Sequence, residues 1–423
     1  MLKIYNKVYF RKMVNRMSEK RVEKHIIKSN SPFFDMLMDF CHKSKNLYNH
    51  ANFIIRQEFV SNNKWIRYND LDKILRADTE YNDYVEMPTA QSAQQILRLI
   101  DRNWKSFFKS IKDWSKHKEK YLGRPKLPKY LKKNGRYLLI LTNQECKVKD
   151  NYIHFPRVFK GFMIKPKFLE RVDYNSFQQV RILPHKNKIT IELVYEINSC
   201  EKRADNNRYI GIDIGVNNLA TVANNIGATA FIINGKPLKS INQFYNKQIS
   251  HYRGICKRMN GKDYSQRMNR LTEKRNARID DYLHKASRKI INYCLKHDIC
   301  TIVIGKNKEW KQEINIGKKN NQNFVQIPFA RFIDMIQYKA EEYGIAVILT
   351  EESYTSGTSF IDNELPVKEN YNKSRRIKRG LFKSNNGILI NADLNGAYQI
   401  MKKVVPIKWD RGCVLHPFVV NIA

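Results

Sequence analysis

The stretch Arg208–Asn224, RYIGIDIGVNNLATVAN, decides the fold. Ile210, Ile212 and Ile214 alternate with small residues and a single acid, the period-two pattern of a β-strand. Asp213 is that acid. A carboxylate in an otherwise apolar strand is costly to bury unless something positive meets it. Gly215 permits a tight turn, and residues 219–222 run back as a second strand. The rest of the chain is therefore read for what meets Asp213.

The chain has 423 residues, room for two or three domains. It carries 77 Lys and Arg against 40 Asp and Glu, a formal net charge of +37. An excess of that size points to a polyanion, most simply nucleic acid, bound with salt-sensitive affinity. An anionic membrane is the rival, but no basic amphipathic anchor or lipidation motif is present. Seven cysteines occur, at 41, 146, 200, 256, 294, 300 and 413. None forms a CxxC pair, so neither a zinc ribbon nor a disulfide framework is readable. The opening MLKIYNKVYFRKMVNRM lacks a secretory apolar core, and no apolar run reaches membrane-spanning length. A cytoplasmic, membrane-free protein is expected.

Residues up to about 31 are basic and weakly patterned. Apolar residues at helical spacing predict helices over 33–59 and 89–116. Between 116 and 133 lies KHKEKYLGRPKLPKYLKK, where Pro125 and Pro128 block regular structure. It reads either as a solvated linker or as an arm on nucleic acid. Strands are predicted at 137–142, 152–155, 179–183 and 189–197, the last two as a hairpin. The first half thus reads as a helical unit set into a small β domain, with a boundary near 201–207. Beyond Asp213 follow a third strand at 230–233 and a basic, aromatic-interleaved stretch at 236–253. A long helix at 267–297 has a cationic side with Arg275 and Arg278. A buried strand TIVIG (301–305), a basic loop (306–323), a helix (328–343) and a second buried strand (345–349) come next. Glu351 and Glu352 end that strand, and Asp393 opens a final helix.

Asp213, Glu351 or Glu352, and Asp393 thus sit at the ends of apolar strands or at a helix start. Phosphodiester hydrolysis needs an activated water and charge relief on two oxygens, which two Mg²⁺ ions roughly 3.5–4 Å apart supply. Mg²⁺ prefers carboxylate oxygens, and acids from separate strands can converge on it. The bland reading makes Asp213 a satisfied turn acid and Asp393 a helix N-cap. An acid in a central strand, followed by a glycine turn and a hairpin, is how ribonuclease H-like nucleases begin their metal site.

GIDIGVNNLATVAN (211–224), TEESYTSGTSFID (350–362) and NADLNGAYQI (391–400) resemble the split RuvC-like nuclease of TnpB proteins. These are transposon-encoded RNA-guided DNA endonucleases, ancestral to type V CRISPR effectors. SKNLYNHANFIIRQEF (44–59), NWKSFFKSIKDW (103–114), GRPKLPKYLKK (123–133) and NGKPLKSINQFYNKQ (234–248) extend the resemblance over nearly the whole chain.

The resemblance implies a multi-domain α/β protein: a ribonuclease H-like (RuvC) domain plus a helical recognition unit inserted in a small β-barrel wedge domain. Residues 1–32 would supply a wedge strand, 33–133 the recognition unit, 134–205 the wedge and 206–423 the nuclease. An insertion at 353–386 would bind target nucleic acid. Asp213 matches the first RuvC acid and Asp393 the third. The second departs: IVIGKNKEW (302–310) has Gly305 where the family carries Glu. Gly cannot bind a metal, so either the site is dead or Glu351 or Glu352 substitutes. Adjacent strand residues face opposite ways, so one of the two reaches the metal; Glu351 is preferred. Gly305 itself is then a passive position.

The family's two CxxC pairs are also missing. Ser359 and Asp362 stand near one pair, Lys383 and Asn386 near the other. No structural zinc is expected, and the insertion would order through nucleic acid. The implied cofactors are two Mg²⁺ ions, replaceable by Mn²⁺. The implied partners are a guide RNA, of transposon-end or CRISPR origin, and double-stranded target DNA. One protein copy would sit on each RNA, in a prokaryotic cytoplasm and on the nucleoid when DNA is bound. Lys126, Lys129, Lys132, Arg275, Arg278, Arg375, Arg376 and Arg379 are the expected nucleic-acid contacts. The alternative function is a nuclease-inactive RNA-guided repressor.

Overall fold

The computed structural model describes residues 18–198, 200–307, 322, 325–408, 410 and 412–422. They fall into two compact units, one ending at Asn198 and the other comprising the remainder. Of the loop expected at 306–323, only residues 306, 307 and 322 lie among the described residues.

The first unit opens with β1 (Ser18–Lys28), then α1 (Phe34–Asn62), α2 (Tyr68–Ala77) and α3 (Ala90–Lys116). Strands β2 (Leu139–Thr142), β3 (Lys147–Lys149), β4 (Tyr152–His154), β5 (Met163–Ile164), β6 (Phe177–Pro184) and β7 (Lys188–Asn198) follow. Leu37, Cys41, Tyr48, Ala51 and Ile55 recur three to seven residues apart and are buried, which is why α1 packs inward. A reciprocal capping box starts α3: Ser92 N donates to Thr89 Oγ1 (3.1 Å) and Thr89 N to Ser92 Oγ (3.2 Å). The expected β-barrel is, among the described strands, a four-stranded antiparallel sheet β1-β7-β6-β2 and a separate three-stranded sheet β3-β4-β5. The 11-residue β1 pairs with β7 along its whole length despite its weak pattern. An edge strand needs only one buried face, which weakens its signature.

The segment after α3 is neither a free linker nor a loose arm. Lys45, Asn49 and Asn52, one turn apart on α1, donate to the carbonyls of Lys133 (2.8 Å), Leu131 (3.0 Å) and Pro128 (3.0 Å). Asn49 also accepts from Leu131 N (2.8 Å). The strap is thereby held along the helix, with Lys126, Lys129 and Lys132 exposed.

The second unit contains β8 (Tyr209–Asp213), β9 (Asn218–Asn224), β10 (Phe231–Asn234), α4 (Lys236–Asn260), α5 (Gln266–Lys296) and β11 (Thr301–Gly305). Then come α6 (Phe329–Glu341), β12 (Ala346–Thr350), β13 (Leu381–Lys383), β14 (Leu389–Asn391), α7 (Ala392–Lys402) and β15 (Phe418–Val420). The main sheet has the order β12-β11-β8-β9-β10-β15. Strands β8, β9 and β10 are antiparallel, while β8, β11 and β12 run parallel. β12 was expected to be buried, but it is an edge strand with Ile348 and Leu349 exposed. Helix α4, long and basic, buries only Leu238 and Asn242, so its sequence lacks the apolar stripe that announces a helix.

Alternation along β8 sends its side chains to two faces. Ile210 and Ile212 join the core made with α5 and α6, which contains Leu283, Ile290, Phe332 and Ile336. The other face meets α7. A Cβ on Gly211 would lie 2.3 Å from Ala397 O and 2.9 Å from Met401 Cβ. Only glycine lets the helix approach so closely. Gly211→Ala is therefore expected to push α7 away and lower stability by about 1–3 kcal/mol, measured as a shifted urea midpoint. A wild-type midpoint would contradict this packing.

Candidate active site

Asp213, the last residue of β8, lies on the face toward α7. Its Oδ2 would be 2.9 Å from a Cβ at Gly396, so glycine on the helix makes room for the carboxyl. Burial pushes its pKa well above the usual carboxylate range, and Glu352 and Asp393 raise it further, with Arg376 opposing.

Asp393 is the second residue of α7, not its cap. Asn391 caps the helix, its Oδ1 accepting from Asp393 N (3.1 Å) and Leu394 N (3.0 Å). The Asp393 side chain is left free for other partners. Its Oδ2 accepts from Asn218 Nδ2 (2.6 Å) and its Oδ1 from Arg376 Nη2 (3.1 Å). Asp213 and Asp393 line one cavity of about 920 Å³ together with Asn218, Lys236, Arg376, Lys378 and Arg379.

Glu351 and Glu352 differ in where they point. Glu351 is exposed and accepts a hydrogen bond from the Ser353 hydroxyl. Glu352 turns inward, and its side chain fills the space above Gly305. A Cβ there would come within 2.5 Å of Glu352 Cγ and Oε1. Gly305 is thus not passive but the opening that admits Glu352. Glu352 N donates to Asn307 Oδ1 (2.9 Å), while Asn307 Nδ2 donates to Oε2 over 3.4 Å. Oε1 is buried with no hydrogen-bond partner. Burial pushes this carboxyl up to about 7, and Lys403 counters the rise.

A buried, unpartnered carboxylate oxygen whose charge acts on Asp213 suits a hard cation. As they stand, no three His, Cys, Asp or Glu side chains among the described residues are close enough together to hold one ion. Asp393 is turned to Asn218 and Arg376 instead.

The expected nucleic-acid contacts divide. Lys126, Lys129, Lys132 and Arg278 are exposed, and Arg376 and Arg379 line the acid cavity. Arg275 does not fit: it donates to Asn242 Oδ1, Asn276 Oδ1 and Gln326 O, each at 2.8 Å, and so ties α4 to α5. Arg375 does not fit either, being half-buried in a 2.5 Å ion pair with Glu364.

That ion pair explains the insertion, which was expected to order through nucleic acid. Glu364 Oε2 also accepts from Ser359 N (2.8 Å), and Oε1 accepts from Asn385 Nδ2 (3.3 Å). Asp362 Oδ2 accepts from Asn385 N (2.8 Å). Asn395 of α7 holds Phe360 N and Thr358 O. The two ends of the segment are therefore joined through the Asp362 and Glu364 carboxylates.

A second cavity, of about 270 Å³, lies in the first unit. It is lined by Gln91, Gln94, Gln95 and Arg98 of α3, by Thr142 at the end of β2 and by Asn143 and Gln144 after it. Gln91 Nε2 donates to Gln144 Oε1 (2.9 Å) and Thr142 Oγ1 to Gln91 Oε1 (2.6 Å). Its trace in the sequence is the amide-rich run AQSAQQ at 90–95.

A mixed α/β unit that gathers buried acids and a basic segment around one cavity is the class defined here. The probable-transposase model OrfB_IS605 matches residues 192–311, and the Cas12f1-like TNB domain model matches 329–400. The TnpB-like protein ORF457 of Acidianus two-tailed virus is 24% identical over 398 residues, spanning 86% of this chain and 82% of that one. The solved complex of Cas12f1 with single-guide RNA and target DNA shares the fold, with TM-score 0.56 and 16% identity over 86% of this chain and 82% of that one. Together these matches support a TnpB-family protein. No described helix is long and apolar enough to cross a membrane.

Removing the Glu364 side chain leaves Ser359 N and Arg375 without their acceptor, a loss of about 1–3 kcal/mol. Glu364→Ala is expected to speed amide exchange and proteolysis within 353–386, while EDTA leaves both unchanged in the parent chain. Chelator-induced loosening of that segment would show that a metal orders it after all.

Proposed function

We propose that this chain is an RNA-guided DNA endonuclease whose second-unit acids cut DNA after guide pairing. The observation that carries the reading is Glu352: it fills the space above Gly305 and aims a buried, partnerless oxygen beside Asp213. A site that had merely decayed would have no reason to refill that position from another strand. The sheet order, three antiparallel strands followed by two parallel ones, supports a ribonuclease H-like (RuvC) domain over 206–423. Residues 33–133 would form the recognition unit, with 1–32 and 134–205 the wedge.

Asp213, Glu352 and Asp393 would hold Mg²⁺ or Mn²⁺, ions that supply an activated water and relieve charge on the phosphate. Asn218 fixes which edge of Asp393 faces the cavity. Lys236, Lys378 and Arg379 line the same cavity and would hold the phosphates of an entering strand. Strap lysines 126, 129 and 132 add phosphate contacts, and sequence choice is delegated to a guide RNA. In the first unit, Gln94, Gln95 and Asn143 carry the amide donors and acceptors that read base edges in a duplex beside the target. One protein copy would act on one RNA in a prokaryotic cytoplasm, without structural zinc.

The inactive-repressor reading draws on the open acid cluster and on the Arg376–Asp393 ion pair. A plasmid cleavage assay with the guide and Mg²⁺ separates the two. Asp213→Ala should abolish cutting yet keep RNA binding. Glu352→Gln should cut at least about 100-fold more slowly, on the scale of losing a directly placed charge-stabilising group, whereas Glu351→Gln stays near wild type. Gly305→Ala should resemble Glu352→Gln, because its methyl displaces that carboxyl. Equal effects of the two glutamate changes would refute the assignment.

Gln95→Ala combined with Asn143→Ala is expected to relax the flanking-motif requirement by roughly 10- to 100-fold. A library of plasmids with randomised flanks, read by sequencing the cut ends, measures this. Retained motif stringency would place motif reading elsewhere.

A further inference from the structure

The second unit has another cavity, of about 680 Å³, between α5, α6 and the run after β15. His284, Lys285, Arg288 and Lys289 of α5 and Lys339 of α6 form its polar wall. Lys339 is 5% exposed, and its Nζ donates to His284 O (2.8 Å) and Ser287 Oγ (2.6 Å). An ammonium has three N–H groups, so one donor remains. No carboxylate among the described residues stands at ion-pair distance from it. A buried ammonium without a counter-charge is costly. Its pKa is accordingly lowered to about 8, first by burial and then by Arg288, with the more distant Glu342 opposing.

The surroundings deepen this charge rather than cancel it. Lys285 pairs with Asp281 (3.1 Å) and Arg288 with Glu342 (3.7 Å), but neither acid lines the cavity. Lys289 is exposed without an ion-pair partner among the described residues. His284 is lowered by burial, Lys339 and Arg331, with Asp280 and Asp281 opposing, and adds an imidazole to the wall.

We infer that this cleft is a phosphodiester-binding site for the guide RNA. The inference rests on the proposed function for the existence of a guide. The location selects which strand is held. α5 and α6 cover the face of the sheet toward which Ile210 and Ile212 point, while Asp213 lies on the face covered by α7. A phosphate seated between α5 and α6 is thus separated by the sheet from the acids. The strand it belongs to stays bound and is not the one being cut. Lys339 supplies the buried cation, Lys285 and Lys289 the solvent-facing ones, and His284 a hydrogen bond to a phosphate oxygen or a 2′-hydroxyl.

The test uses the full chain and the RNA that copurifies with it, transcribed anew, with binding measured from 50 to 300 mM KCl. Lys285→Glu/Lys289→Glu is expected to weaken RNA binding by about tenfold or more and to flatten the salt dependence by about one to two contacts. Lys285→Arg/Lys289→Arg should keep most of the affinity. Lys339→Met should weaken binding likewise, and an unchanged melting temperature distinguishes this from unfolding. Unchanged RNA affinity in the double variant, with wild type binding well, overturns this site alone. Wild type that binds no RNA overturns the guide reading and this site together. Normal RNA binding with weakened capture of duplex DNA by the RNA-loaded chain overturns the RNA assignment in favour of DNA.

Discussion

The second unit depends on how closely one helix lies on one strand. Gly211 has no side chain, so β8 and α7 approach until a Cβ there would overlap the Ala397 carbonyl. Gly396 does the same from the helix side, opposite the Asp213 carboxyl. Two glycines thus press an acid against a helix whose second residue is another acid. Desolvation and like charge then act on Asp213 together, and both raise its proton affinity. The packing that stabilises the core creates the electrostatic demand at the site. That demand is met by cations: Arg376 on Asp393 in the structure, and Lys403 near Glu352.

The third acid illustrates the same economy of space. β11 and β12 are parallel and in register from Thr301 opposite Ala346 to Gly305 opposite Thr350. Glu352 follows two residues beyond, where a glycine on the neighbouring strand leaves room. A side chain at 305 and the observed Glu352 rotamer are mutually exclusive. The absence of a side chain at 305 and the inward position of Glu352 are therefore one structural fact.

Asp213 and Asp393 were legible because each stands in a strong pattern, an alternating strand and the start of an apolar helix. The choice between Glu351 and Glu352 was not. Period-two alternation decides sidedness only within a pleated strand, and β12 ends at Thr350. Past it, Asn307 sets the direction by accepting from Glu352 N. Cationic residues misled for a related reason. Arg275 and Arg375 have the same formal charge as Arg278 and Arg379, but they find internal acceptors that only the fold brings near. The long-range capping of Phe360 and Thr358 by Asn395 was equally invisible. Helix α4 was missed because it turns nearly all of its surface outward.

With 77 cations and 40 acids, this chain cannot pair its charges fully, so the informative groups are the buried ones left unmatched. Glu352 Oε1 is one, a negative charge lacking a donor, and Lys339 is another, a positive charge lacking a carboxylate. They belong to the two faces of one sheet. Brought together they would satisfy each other, since opposite charges in a low-dielectric interior attract strongly. The apolar layer of Ile210, Ile212, Ile302 and Ile304 beside α5 and α6 keeps them apart. The sheet therefore separates a buried carboxylate oxygen that lacks a donor from a buried ammonium that lacks a carboxylate. The proposed function would use that separation, holding one nucleic-acid strand on one face while another is cut on the other.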